Sequence, residues 1–414
     1  VTAAAFVEGV LAGGALVAGG DYDVLVRTAS GAEAVLDGAF HCDGDPPIDA
    51  GDGDDAGDGD EDMEDADAEA EAEAGPLGTV VTLSEAGSAR TGSAATVAWV
   101  ADRWVVAWVD DDGGNGLLRL GEIFPGETTV ASVHDITDAG RPTHPLIRSW
   151  AGLAWLSWVD KTDTPNRYRF RLLDDGLGVR AAGGPLGSAD TDVFWRRDHD
   201  VARDPGTGRF AFFAPILGVL SVSTVEADGT IVVRNAPLGT MLAAPVEPRA
   251  VWSAGAFRVA WWENPGSAGV ARGAIVGPDA AVSAGPLDLP LDGEVQGPVL
   301  WVDGRSGADR LFVCHEAIGG PLARTLHLRP MATDFGSPGS DLPLFGTGRG
   351  GRCTVRDGLV VWALLSSLAT FSVARLAPDG TTAEVGRFLG HAVRALPGVD
   401  VAVSPDRPGL VWLE

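Results

Sequence analysis

The chain has 414 residues, 45% of them hydrophobic, which is enough for a substantial core, and a formal net charge of −28. Its 30 Lys and Arg stand against 58 Asp and Glu, so it lacks the clustered cations that nucleic-acid phosphates and anionic lipid surfaces require. Three cysteines, Cys42, Cys314 and Cys353, are too few for a disulfide framework, and no pair has metal-ligand spacing.

Residues 1–20 are small and apolar, but they lack a basic start and are interrupted by Glu8. They make a poor signal peptide and a poor transmembrane helix. Tyr22–Thr28 and Ala32–Leu36, joined at Ser30-Gly31, read as a strand pair within an N-terminal segment 1–42. Between Asp43 and Glu73 there are 16 Asp or Glu and no Lys or Arg. Such a tract cannot bury enough apolar surface to offset its ordering entropy, so 43–77 is expected to be a disordered acidic tether. Its Asp-Gly-Asp steps do not fall into the fixed register of a calcium loop. Gly78–Ser84 again has strand character.

From there a repeat takes over 78–414. Its core is an apolar strand with an aromatic end: Trp104-Val-Val-Ala-Trp108, Trp155-Leu-Ser-Trp158, Phe210-Ala-Phe-Phe213, Phe257-Arg-Val-Ala-Trp261, Leu311-Phe-Val-Cys314, Leu359-Val-Val-Trp362 and Leu410-Val-Trp412. The end positions are 50, 55, 48, 53, 48 and 50 residues apart. A strand carrying Trp99, Trp150, Trp252 or Trp301 precedes the core strand, across turns such as Asp204-Pro-Gly-Thr-Gly208. A third strand and a short polar fourth follow, separated by turns such as Asp175-Gly176 and Asp228-Gly229. Four antiparallel strands per roughly 50 residues is the pattern of a propeller blade. The expected fold is therefore all-β: a single β-propeller of about seven four-stranded blades. The seventh repeat stops after its second strand, so an N-terminal strand should close the ring. Gly78–Ser84 and the 22–36 pair are both candidates for that role.

The recurring Trp, short turn and Val-Val-Ala-Trp-Val-Asp from Trp99 onward resemble the repeat propellers of secreted and lipid-anchored proteins in high-GC Gram-negative bacteria. The resemblance implies an extracellular, periplasmic or cell-surface location. Cys42-Asp-Gly-Asp-Pro-Pro looks like the junction between an acylated cysteine and its tether, although His41 departs from the small residue that processing uses. Membrane association is expected only through such an anchor at Cys42.

Chemistry is sparse. Seven histidines are scattered without ligand spacing, Gly-x-Ser-x-Gly is absent, and no phosphate loop follows a strand, so neither cofactor nor metal is expected. One constellation stands out. Asp110, Asp160, Glu263 and Glu316 each lie two residues past an aromatic or Cys end position. In a propeller they would line one face, together with cationic segments leading into the first strands, which carry His144, Arg196, Arg197 and His199. Trp195, the one tryptophan outside the repeat, would join them as a stacking platform. The competing reading is that acid and Arg pair to tie neighbouring blades together. Cys314 and Cys353, on adjacent repeats, are a candidate disulfide. The functional expectation is a non-catalytic binding or scaffold propeller for a protein or glycan. The alternative is a carbohydrate-active enzyme using carboxylates of the charged face.

Overall fold

The computed structural model describes residues 4–8, 21–27, 33–41, 79–83, 95–111, 114–189, 199–243, 245–263, 269–291, 294–303, 310–318, 324–336, 339, 342–348, 351–356, 359–364, 369–376, 382–390, 400–403 and 408–413. The protein is all-β: among these residues there is no helix, and hence none long and apolar enough to cross a membrane. The strands form seven four-stranded antiparallel sheets and one two-stranded sheet.

Six sheets are consecutive in sequence. Sheet I holds Thr96–Val100, Arg103–Asp110, Leu117–Ile123 and Ser132–Ile136. Sheet II holds Pro142–Trp150, Leu153–Asp160, Asn166–Leu173 and Val179–Ala189. Sheet III holds Asp200–Arg203, Phe210–Ile216, Val219–Val225 and Ile231–Pro237. Sheet IV holds Pro245–Ser253, Ala256–Glu263, Val270–Val276 and Val282–Asp288. Sheet V runs from Glu294–Asp303 to Leu342–Gly348, and sheet VI from Gly351–Arg356 to Thr382–Gly390. Every aromatic or Cys end position of the repeat falls in a second strand.

Sheet VII is assembled from both ends of the chain. Asp400–Val403 and Pro408–Leu413 are followed by Ala4–Glu8 and then Thr79–Thr82. Ala4 lies opposite Leu413 and Glu8 opposite Gly409, while Glu8 also faces Thr79. The third strand of this sheet is thus the apolar N-terminal stretch. The 22–36 pair instead forms the separate two-stranded sheet, Asp21–Arg27 with Glu33–His41. The tract 43–77 lies outside the described residues.

Apolar clusters sit between successive sheets, as the two-faced burial of the second strands requires. Trp104 and Trp108 pack with Val81 and Ala402 between sheets VII and I. Val105, Leu118, Ile147 and Trp158 fill the next gap. Trp155, Tyr168, Phe170, Phe210 and Phe212 lie between II and III. Phe213, Leu220, Phe257 and Trp261 lie between III and IV. Trp155 stacks on Phe170 with centroids 4.6 Å apart and planes 6° from parallel. Each such ring removes its whole surface from water, a stabilisation of about 3 kcal/mol or more for a side chain of this size. The all-buried pattern of Arg103–Asp110 and Leu153–Asp160 follows, with one face on each neighbour.

Candidate functional site

The acids past the aromatic end positions are built alike. Asp110, Asp160 and Glu263 are 4%, 3% and 0% exposed. In the second-to-third-strand register, Trp108 faces Arg119, Trp158 faces Arg169 and Trp261 faces Arg272. Each Arg reaches diagonally to the acid nine residues before it. Arg119 pairs with Asp110, Arg169 Nε with Asp160 Oδ2 at 2.7 Å, and Arg272 Nη1 with Glu263 Oε1 at 3.8 Å. The indoles add to this: Trp108 Nε1 donates to Asp110 Oδ1 at 3.0 Å, and Trp261 Nε1 to Glu263 Oε1 at 2.7 Å.

The remaining carboxylate oxygens fasten the chain that leads into the first strand. Asp160 Oδ1 accepts from Arg141 N–H and Thr162 N–H at 3.1 and 2.9 Å. Glu263 Oε2 accepts from Leu242 and Ala243 N–H at 2.6 and 3.3 Å. Burial alone would raise the Asp160 pKa. Hydrogen bonds from Thr162, Arg141 and Arg169 outweigh it and hold the group below its ordinary value. The arginines are partners within the same sheet, not from a neighbouring repeat.

The other sequence candidates fall in different places. His199 is wholly buried, its Nε2 3.0 Å from Ser157 Oγ and its ring against Tyr168 and Phe212. It fills the seam between sheets II and III. His144 is buried at a bulge of its first strand, in left-handed backbone with φ of 51°, its Nδ1 2.9 Å from Thr143 Oγ1. Glu316 lies in a second strand opposite Leu326, at the position equivalent to the other acids, and its side chain is not among those described. Trp195, Arg196, Arg197 and Cys42 lie outside the described residues. Cys314 is buried, and the Cys353 side chain is outside the description.

A second polar cluster, which the sequence reading did not single out, joins the first strands. Asp400 Oδ2 accepts from Thr96 Oγ1 at 2.5 Å and from Val97 N–H at 3.2 Å. Thr96 Oγ1 in turn takes Ile147 N–H at 3.3 Å, and Asp200 Oδ2 takes Ala250 N–H at 3.0 Å. In each case a side chain of one first strand satisfies a backbone donor of the next. Arg148 lies among them, with Nη1 3.3 Å from Asp400 and Nε 3.4 Å from Asp200. One buried guanidinium thereby bridges sheets VII and III. A buried Asp or Thr early in a first strand was the available sequence signal, but nothing local says which backbone it will meet.

At the opposite end, arginines at the start of second strands reach the outer turn of the next sheet. Arg103 Nη2 donates to Asp175 O at 2.7 Å, Arg209 Nη1 to Pro278 O at 3.0 Å and Arg258 Nε to Thr333 O at 2.8 Å. Beside Arg103, Glu122 Oε1 lies 2.6 Å from His134 Nε2, and Ser132 Oγ is 3.2 Å from the same nitrogen. A nucleophile–base–orienter relay needs both ring nitrogens, one for each neighbour, so this trio is not one. Among the described residues no group of three or more His, Cys, Asp or Glu comes together in a metal-binding arrangement.

No family model matches the chain, and no curated protein matches its sequence. Solved structures similar to it include "Bacteroides ovatus Xyloglucan PUL GH43B", at a TM-score of 0.36 and 13% identity over 75% of this chain and 72% of that one. An endo-1,4-beta-xylanase from Bacteroides thetaiotaomicron is similar at 0.37 and 12%, over 61% and 96%. An alpha-L-arabinofuranosidase from Clostridium thermocellum is similar at 0.35 and 10%, over 59% and 94%. No residue role passes from those chains to this one.

Proposed function

We propose that the seven sheets are the blades of one closed propeller, completed by Ala4–Glu8 and Thr79–Thr82. On this reading the ring is a non-catalytic binding module whose ligand is a glycan. The observation that carries the non-catalytic part is the likeness of Asp110, Asp160 and Glu263. Two carboxylates that cleave a glycosidic bond need different environments, one holding a proton and one not. Here each acid has the same Arg nine residues on, and Asp160 and Glu263 both hold the chain leading into their own first strand. The excess of acidic residues disfavours polyanions and leaves neutral sugars as the fitting glycan class.

A second reading, a carbohydrate-active enzyme, has one observation in its favour: Asp200 and Asp400 are buried and gathered on a single guanidinium. One experiment separates the two. The protein is incubated with neutral polysaccharides, and both retention and release of reducing ends are measured. Retention without release is expected. Hydrolysis that Asp200→Asn abolishes would install the enzyme reading.

Export to the envelope or outside the cell, with Cys42 as the anchor point, belongs to the same proposal. It is tested by fractionation and by the mass of the Cys42 peptide. A Cys314–Cys353 bond is tested by alkylation without reductant.

A further inference from the structure

Nine tryptophans have described side chains. Trp104, Trp108, Trp155, Trp158, Trp261 and Trp262 are buried, while Trp99, Trp150 and Trp252 are half-buried. Trp99 and Trp252 occupy one repeat position, opposite Trp104 and Phe257, while Trp150 lies one position later, opposite Leu153 and on the other face of its sheet. All three are at or next to the end of the first strand, just before the hairpin into the second.

Each ring is held edge-on by a buried aromatic ring, of its own sheet for Trp99 and Trp252 and of the next sheet for Trp150. Trp99 sits edge-on to Trp104 at 4.8 Å and 70°, and Trp252 edge-on to Phe257 at 4.8 Å and 73°. Trp150 sits edge-on to Phe210 at 5.3 Å and 69°. A ring fixed by a buried neighbour loses little freedom when something stacks on it. The hairpin tips beside them are short and slight: Ala101-Asp102, Ala151-Gly152 and Ala254-Gly255, all exposed. In sheet III the same position is Arg203, its guanidinium 5.6 Å from the Phe210 centroid.

The Arg103, Arg209 and Arg258 bonds to the outer turns of the next sheets place these hairpins at one end of the molecule, opposite the acids. We propose that this hairpin face binds a neutral glycan, with Trp99, Trp150 and Trp252 as stacking platforms and Arg203 as a donor to its hydroxyls. The inference rests on the glycan reading above and assigns it a face. An indole gives a sugar's C–H face apolar contact without any charge, and an acidic molecule repels the anionic polymers that would otherwise compete.

The test is calorimetric titration of the full chain with cellohexaose, xylohexaose and mannohexaose. At least one should bind. Trp99→Ala, Trp150→Ala and Trp252→Ala should each weaken it about tenfold, the loss of roughly 1.4 kcal/mol of stacking. The Trp→Phe variants should recover part of the loss, and they also keep the test valid should an Ala variant unfold. Arg141→Ala, at the opposite end, should bind as the parent does. Binding that survives all three Trp changes overturns the face assignment and leaves the glycan reading standing. Failure of every sugar to bind the parent protein overturns both, and a protein ligand that needs these tryptophans would replace the sugar.

Discussion

Gly140 has a φ of +76°, and a Cβ there would lie 2.3 Å from Asp160 Oδ1 and 2.6 Å from Thr162 Oγ1. The position is glycine because the chain must turn with left-handed backbone directly beneath the carboxylate that anchors it. Gly140→Ala should therefore cost about 2–3 kcal/mol, through strain and displacement of the acid together. A urea midpoint within error of the parent would show that the Asp160 anchor is dispensable. The same acid sets a pH dependence. Its folded pKa is depressed, so its contribution is complete above the unfolded value, near 3.9, and is lost as pH falls through the folded value. Glu122 behaves alike: burial raises its pKa, and Ser132, His134 and Arg103 more than offset that. Denaturant midpoints should hold from pH 7 to about 5 and fall below about 4. Asp160→Asn should flatten part of that fall, and an unchanged acid limb in the variant would contradict the assignment.

At the scale of the element, each first strand has one edge that no strand covers. The structure meets its donors with side chains: Asp400 for Val97, Thr96 for Ile147 and Asp200 for Ala250. Arg148 balances the two carboxylates. Arg148→Met should leave them buried without their cation and cost about 3–5 kcal/mol. Combined with Asp200→Asn, the loss should be clearly less than the sum of the single losses. Additive losses in a double-mutant cycle would mean that the two groups do not act together. The second strands were legible in the sequence because Trp, Phe and branched apolar residues recur about every 50 positions and both of their faces are buried. The Arg nine residues after Asp110, Asp160 and Glu263 was equally visible as spacing. Spacing alone does not reveal that Arg119, Arg169 and Arg272 stand opposite the tryptophans and pair within their own sheet, where the sequence reading set the acids against the cationic segments leading into the first strands. The burial of His199 was not legible, since nothing local announces that Ser157, Tyr168 and Phe212 converge on it.

For the whole molecule, the repeat conveyed the sheets but not the composition of the last one. Ala4–Glu8 is short, Ala-rich and without a neighbouring turn signal, and its partners are about seventy and about four hundred residues away. Inserted between Pro408–Leu413 and Thr79–Thr82, it covers two edges at once. Deleting residues 1–8 should expose both and drive association of copies, seen as higher species in size-exclusion chromatography. A synthetic peptide with the sequence of residues 1–8 should reverse the effect. A deletion variant that stays monomeric with an unchanged melting temperature would show that the strand is not needed to hold sheet VII.

The pairing of Ala4–Glu8 with Pro408–Leu413 also fixes an order of events during synthesis. Ala4–Glu8 can complete its pairing only late, because Pro408–Leu413 leaves the ribosome about four hundred residues after it. At about 5–20 residues per second, the edge that meets Pro408–Leu413 waits some tens of seconds unpaired. Sheets I to VI have all their partners within a single repeat and can form as they emerge, each with short loops to close. The late step is then the joining of Pro408–Leu413 to Ala4–Glu8, and a chaperone acting on this protein would be most useful at that moment.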